Sequence, residues 1–129
     1  MPMQKSPANK IILTKNFSFD SAHRLENYKG KCKNLHGHTY LLEVSVTGKI
    51  NNKTGMIIDF SILKKVVNDL IIERLDHQYL NDIINDPTAE NMIQWIWNIS
   101  FRAIKEQGAE LFMIKLWETP TSSVTIINN

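Results

Sequence analysis

Three of the chain's four histidines and its only cysteine fall between Phe19 and Tyr40, in the run FDSAHRLENYKGKCKNLHGHTY. His36 and His38 are two apart, and on an extended strand such residues share a face, so both imidazoles can reach one ion. Gly37 between them adds no bulk. His23 could complete a set of three neutral nitrogen donors, the number that suits a zinc ion whose fourth position stays open for chemistry. Without a second cysteine, such a set reads as catalytic rather than structural.

Cys32 has two readings. As a fourth ligand it would close the site and make it structural; as a free thiolate beside the metal it would be a base. Lys31 and Lys33 flank it and favour the reactive thiolate, although exposed loop lysines are commonly just solvated charges. The base reading leads on residue chemistry. Asp76 and His77 are adjacent and follow a helical pattern, where a histidine most often meets the last carbonyls of the helix. An acid beside an imidazole can also fix its tautomer or pass a proton with it. Residue chemistry alone favours the helix-end reading. Glu118, in LWETPTSS, ends an apolar strand; it either emerges into solvent or accepts two parallel N–H bonds from a guanidine-like heterocycle edge. Trp95, Trp97 and Trp117 read as core rather than as stacking platforms, Trp95 above all.

The surrounding pattern supplies the elements that must position these groups. Residues 1–9 are polar with two prolines and read as a flexible leader, and residues 10–129 as a single domain. Residues 10–19 alternate largely as a half-buried strand, with His23 at or just beyond its end. Residues 25–34 carry lysines and Gly30 without apolar period and read as a loop. A second strand runs from about His36 to Ile50, its parity placing His36 and His38 on the Leu42 face. Asn51 to Gly55 is a turn cluster. Asp59 or Ser61 caps a helix that buries Leu63, Val66, Val67, Leu70 and Ile71 and ends near Leu75. A polar connection follows. Thr88 then caps a helix with Met92, Trp95, Ile96, Ile99 and Ala103 on one stripe, and Gly108 stops it. Residues 111–118 and 123–127 close the chain as a hairpin.

The order strand, strand, helix, helix, strand, strand predicts an α+β domain, a four-stranded antiparallel sheet with both helices on one face. Its two unpaired edges and its uncovered apolar face are costly in water, and oligomerisation would relieve both.

With 129 residues the chain is long enough to bury roughly two-thirds of its unfolded surface, without disulfides or a structural metal. Fifteen basic against thirteen acidic residues leave +2, too balanced for wholesale binding to nucleic acid or an anionic membrane. Leu111 to Ile114 is the longest apolar run, far below the roughly 20 residues of a membrane helix. Ile11 to Leu13 is too short for the apolar core of a signal peptide. A single free thiol fits a reducing compartment, and the expectation is a cytoplasmic protein.

FDSAHRL, CKNLHGHTY, GMIIDFSILK, LDHQYLND, PTAEN and WETPTSS, in that order, carry a resemblance to the 6-pyruvoyl-tetrahydropterin synthase family that covers nearly the whole chain from Phe17 to Ser123. Within it they look most like the 6-carboxytetrahydropterin synthases of queuosine biosynthesis. HGH with an upstream SAH is the most specific part; PTAEN and DF also read as helix caps. The resemblance implies zinc held by His23, His36 and His38, Cys32 as base, Asp76 and His77 completing a proton-transferring triad, and Glu118 anchoring the pterin. It overrides the helix-end reading of Asp76 and His77. It also implies the tunnelling fold, in which three subunits close their sheets into a barrel, often stacked as hexamers, with sites between subunits.

One spacing separates the subtypes. The pyruvoyl-forming type typically has five residues between the cysteine and HGH and the carboxy-forming type three; here Lys33, Asn34 and Leu35 make three. A folate-pathway branch places a glutamate near the cysteine position, and this loop has only lysines there. The implied reaction converts 7,8-dihydroneopterin triphosphate to 6-carboxytetrahydropterin, releasing acetaldehyde and triphosphate. The alternatives are 6-pyruvoyl-tetrahydropterin synthase, which eliminates triphosphate without releasing acetaldehyde, and, more distantly, a non-enzymatic zinc-binding module. Lys29, Lys31, Lys33 or Arg24 would meet the triphosphate on charge and position alone.

Overall fold

A computed structural model of the chain describes residues 9–27, 29–30 and 33–128. The leader up to residue 8 and the proposed base Cys32, with its neighbour Lys31, lie outside the described residues. Strand β1 (Leu13–His23) runs antiparallel to β2 (His36–Thr47), in register from Leu13 opposite Val46 to His23 opposite His36. The first strand starts later than its alternation suggests and carries His23 as its last residue. Its ladder with β2 sets that end. Phe17, Phe19, Ser21 and His23 on β1 and Tyr40, Leu42, Val44 and Val46 on β2 turn to one face and are buried. His36 and His38 share that face, as parity predicts.

The helices cover this face. Asp59 caps α1 (Phe60–Val67) by accepting from the Ser61 N–H, which also holds its carboxyl below the usual range. The helix continues through a π-helical turn, Asn68–Ile72, into a short last turn α2 (Glu73–Leu75). Its most buried residues, Leu63, Val67, Ile71 and Leu75, fall at intervals of four. A regular helix turning about 100° per residue overshoots by about 40° at each such interval, so the row would drift off the sheet. The wider π turn takes back part of that drift, and Leu75 ends fully buried.

Helix α3 (Ala89–Glu106) is capped by Thr88, which accepts from the Asn91 N–H. Its buried line is Met92, Ile93, Ile96, Ser100 and Ile104, a stripe turned from the expected one, with Trp95, Trp97 and Ile99 packed at its margin. Gly108, at φ 84°, takes the left-handed backbone that ends a helix. Strands β4 (Glu110–Thr119) and β5 (Ser122–Ile127) form the closing hairpin, and β4 pairs with β2.

The sheet has five strands rather than four, in the order β3-β1-β2-β4-β5. The addition is β3 (Gln78–Tyr79), parallel to β1 through Ser21 opposite Gln78 and Ala22 opposite Tyr79. Two residues with no apolar alternation carry no strand signal; the pairing follows from where Leu75 anchors the chain. Trp117 also departs from expectation. It lies on the helix-free face, where its indole N–H donates to Glu43 at 2.6 Å and the Lys115 ammonium sits 4.5 Å from its ring centre. No described helix is long and apolar enough to cross a membrane.

Candidate metal centre and adjoining clefts

The end of β1 and the start of β2 bring His23, His36 and His38 together, with one ligand nitrogen of each within 4.8 Å of the others. The rings stand edge to face, with centres 4.6, 4.8 and 5.1 Å apart. His23 Nδ1 lies 2.7 Å from the Pro87 carbonyl oxygen, and His36 Nδ1 lies 2.7 Å from that of Asn34. A carbonyl only accepts, so each Nδ1 carries the hydrogen and each Nε2 of a neutral ring presents a lone pair.

Those two Nε2 atoms are 3.0 Å apart. Two lone pairs cannot share a hydrogen bond, so the contact is repulsive unless a cation lies between them. Nitrogens bound tetrahedrally at about 2.05 Å would stand roughly 3.3 Å apart, close to the spacing here. His38 adds a third sign: its Nε2 is buried, and no described group bonds to it. Burial lowers the pKa of His23, with the nearby His36 adding to the effect and the Pro87 carbonyl and Glu118 opposing it. Burial also lowers that of His38, against the pull of Glu118. Neutral donors, fixed tautomers and one orphaned nitrogen fit a divalent cation.

Tyr40 forms the inner wall. It is fully buried, stacks on Phe19 with ring centres 5.0 Å apart, and brings its hydroxyl to 3.5 Å from His23 Nδ1. Burial raises its pKa far above the ordinary value, so it stays neutral.

Glu118 lies near the end of β4, its Oε1 3.9 Å from His38 Nε2, too far for a hydrogen bond. It lines a cleft of about 780 Å³ with His38, Tyr40, Leu41 and Trp117. A half-buried carboxylate at the wall of a largely apolar cleft suits the anchoring of a flat heterocycle by paired N–H donors.

His38 also borders a second cleft, of about 540 Å³, shared with Asp20, Thr39, His77 and Tyr79. Asp76 leaves the helix in extended conformation, and its Oδ2 lies 3.0 Å from His77 Nδ1. The Asp20 N–H donates to Asp76 Oδ1 at 2.9 Å and holds that carboxyl below the usual range. His77 does not bond the helix end. Its φ of 57° turns it out of the helix, and its side chain is 77% exposed. The structure thus gathers the three histidines with Glu118 beside them, and sets His77 in the adjoining cleft with Asp76 bonded to its ring.

Sequence reasoning missed Asp20, Ser21, Thr39 and the Pro87 carbonyl. Only the opposite parities of Asp20 and His23 on one strand hinted that β1 serves both clefts. The Pro87 carbonyl has no signal in its residue type.

A family model described as 6-pyruvoyl tetrahydropterin synthase matches residues 12–129. A 6-carboxy-5,6,7,8-tetrahydropterin synthase of Haemophilus influenzae is 37% identical over 135 residues, covering 85% of this chain and 94% of the relative. A protein of the same name from Synechocystis is 39% identical over 119 residues, covering 87% and 89%. The solved structure of Caenorhabditis elegans 6-pyruvoyl tetrahydropterin synthase is similar with a TM-score of 0.81 at 25% identity, covering 94% and 97%.

Proposed function

The chain belongs to the 6-pyruvoyl tetrahydropterin synthase family, and from that premise we propose that it is a 6-carboxy-5,6,7,8-tetrahydropterin synthase. It would convert 7,8-dihydroneopterin triphosphate and water to 6-carboxytetrahydropterin with release of acetaldehyde and triphosphate, a step toward queuosine. The observation that carries this reading is the convergence of His23, His36 and His38 beside the cleft that Glu118 lines. The three-residue gap between Cys32 and His36 and the names of the bacterial relatives favour the carboxy-forming subtype.

His23, His36 and His38 would hold zinc, which when bound supplies Lewis acidity to a substrate hydroxyl. Glu118 binds the pterin edge and sets which side-chain carbon faces the base. Cys32 thiolate takes a proton from that carbon, which is acidified by conjugation with the ring imine. His77, its ring held by Asp76, would pass protons as the double bonds shift and triphosphate leaves; water then adds to the side-chain carbon that becomes the carboxylate, and the carbon–carbon bond breaks as the two-carbon fragment takes up a proton and departs as acetaldehyde. The open edges of β3 and β5 and the exposed Leu41 on the helix-free face support assembly of copies, trimer or hexamer, with sites completed between subunits.

Incubation of the zinc-loaded protein with dihydroneopterin triphosphate tests the reading. Acetaldehyde should appear in step with triphosphate. Triphosphate without acetaldehyde would instead support pyruvoyl formation, the activity named for the C. elegans structure. Zinc binding with neither product would leave a non-enzymatic module.

A further inference from the structure

Asp20 on β1 stands directly opposite Thr39 on β2. Its N–H donates to Asp76 Oδ1 at 2.9 Å, and its carbonyl accepts from the His77 N–H at 2.6 Å. Both main-chain groups therefore point away from β2. Asp20 and Thr39 thus form a rung of the antiparallel ladder that lacks mutual main-chain bonds, the kind in which the two chains approach about 1 Å closer. Their side chains show it: the Thr39 hydroxyl donates to Asp20 Oδ1 at 2.5 Å, the length of a charge-assisted bond. The neighbouring rung sets Ser21 opposite His38, and the Ser21 hydroxyl donates to the Leu75 carbonyl.

Two adjacent rungs of β1 and β2 therefore carry a histidine of the cluster on one side and the Asp76–His77 segment on the other. His77 needs such support, because a left-handed backbone is unfavourable for a residue that is not glycine. We propose that Asp20 and Thr39 form a side-chain clasp that positions the Asp76–His77 pair relative to the histidine cluster. The rung's main-chain groups on β1 are turned to the Asp76–His77 segment, so the clasp ties the residue that holds that segment to the strand that carries His38. Asp20 and Thr39 are positioning residues that act through Asp76 and His77. Only the kinetic part of the test rests on the synthase reading.

Thr39→Val and Asp20→Ala each break the clasp, whereas Thr39→Ser keeps the hydroxyl donor. In the zinc-loaded protein, amide exchange at His77 should quicken about tenfold in the first two variants and stay near the parent's in the third, while Val44 in the core is unaffected. The same two variants should lower kcat about tenfold with KM and zinc content within about twofold of the parent, and the double variant should be no worse than Asp20→Ala alone. Exchange at His77 within about twofold of the parent in both Thr39→Val and Asp20→Ala would overturn the clasp, as would additive losses in the double variant. A parent that releases no acetaldehyde would refute the synthase reading alone, and the exchange rates would still decide on the clasp.

Discussion

His23 is fully buried and His77 is 77% exposed, although both are held by the same strand. His23 is the last residue of β1, its ring fixed by the Pro87 carbonyl on one side and facing His36 on the other. His77 stands off the strand edge, tied to β1 through its own main chain and to Asp76 through its ring. The contrast separates two design problems. A pocket that could bind a metal needs neutral nitrogens held still, and here the burial of His23 and the carbonyl contacts of His23 and His36 do that within one chain. The Asp76–His77 pair, for which we propose proton transfer, lies at the surface and depends on local hydrogen bonds for its position.

The contrast is sharpest in how each side fails. His36→Ala should weaken zinc binding by more than the roughly 10- to 100-fold that loss of an outer hydrogen-bond partner costs, and abolish turnover; metal analysis after dialysis checks it. Full occupancy in that variant would remove His36 from the ligand set. Cys32→Ala and His77→Gln should each lower turnover by roughly 10²- to 10⁴-fold while zinc and fold persist. If either loses zinc as well, the two functions are not separable as described. For Glu118→Gln the expected effect is about tenfold weaker pterin binding with kcat largely kept, read from steady-state kinetics.

The smallest effect concerns pH. Burial lowers the pKa of His23 and His38 below the ordinary 6.5, so in the fold both rings stay neutral where free imidazoles begin to protonate. Protons then compete with zinc only in more acid solution. Zinc affinity should therefore change less than about threefold between pH 8 and 6.5 and fall below that range. A steep loss already above pH 7 would mean that burial does not set the protonation of the cluster.

How much of this was legible in the sequence follows from the same contrast. Alternation of Tyr40, Leu42, Val44 and Val46 announces a strand, and its parity carries back to His36 and His38, so the convergence of the histidines could be read directly. The cap Thr88 was legible, and the first cap was narrowed to Asp59 or Ser61, because a side-chain oxygen before an apolar period has a specific job. Strand β3 was not, since Gln78 and Tyr79 pair through main-chain groups that any residue has. Nor was the π turn, which answers a mismatch between a four-residue repeat and the helical pitch. Residue chemistry alone misplaced His77 at the helix end, because nothing in its neighbours reveals a left-handed backbone.

X-ray absorption at the zinc edge tests the central claim most directly. The account predicts three imidazole nitrogens at about 2.0–2.1 Å with one exchangeable oxygen, unchanged in shell composition by Cys32→Ala. A sulfur scatterer at about 2.3 Å that disappears in that variant would make Cys32 a ligand rather than a base and contradict the account.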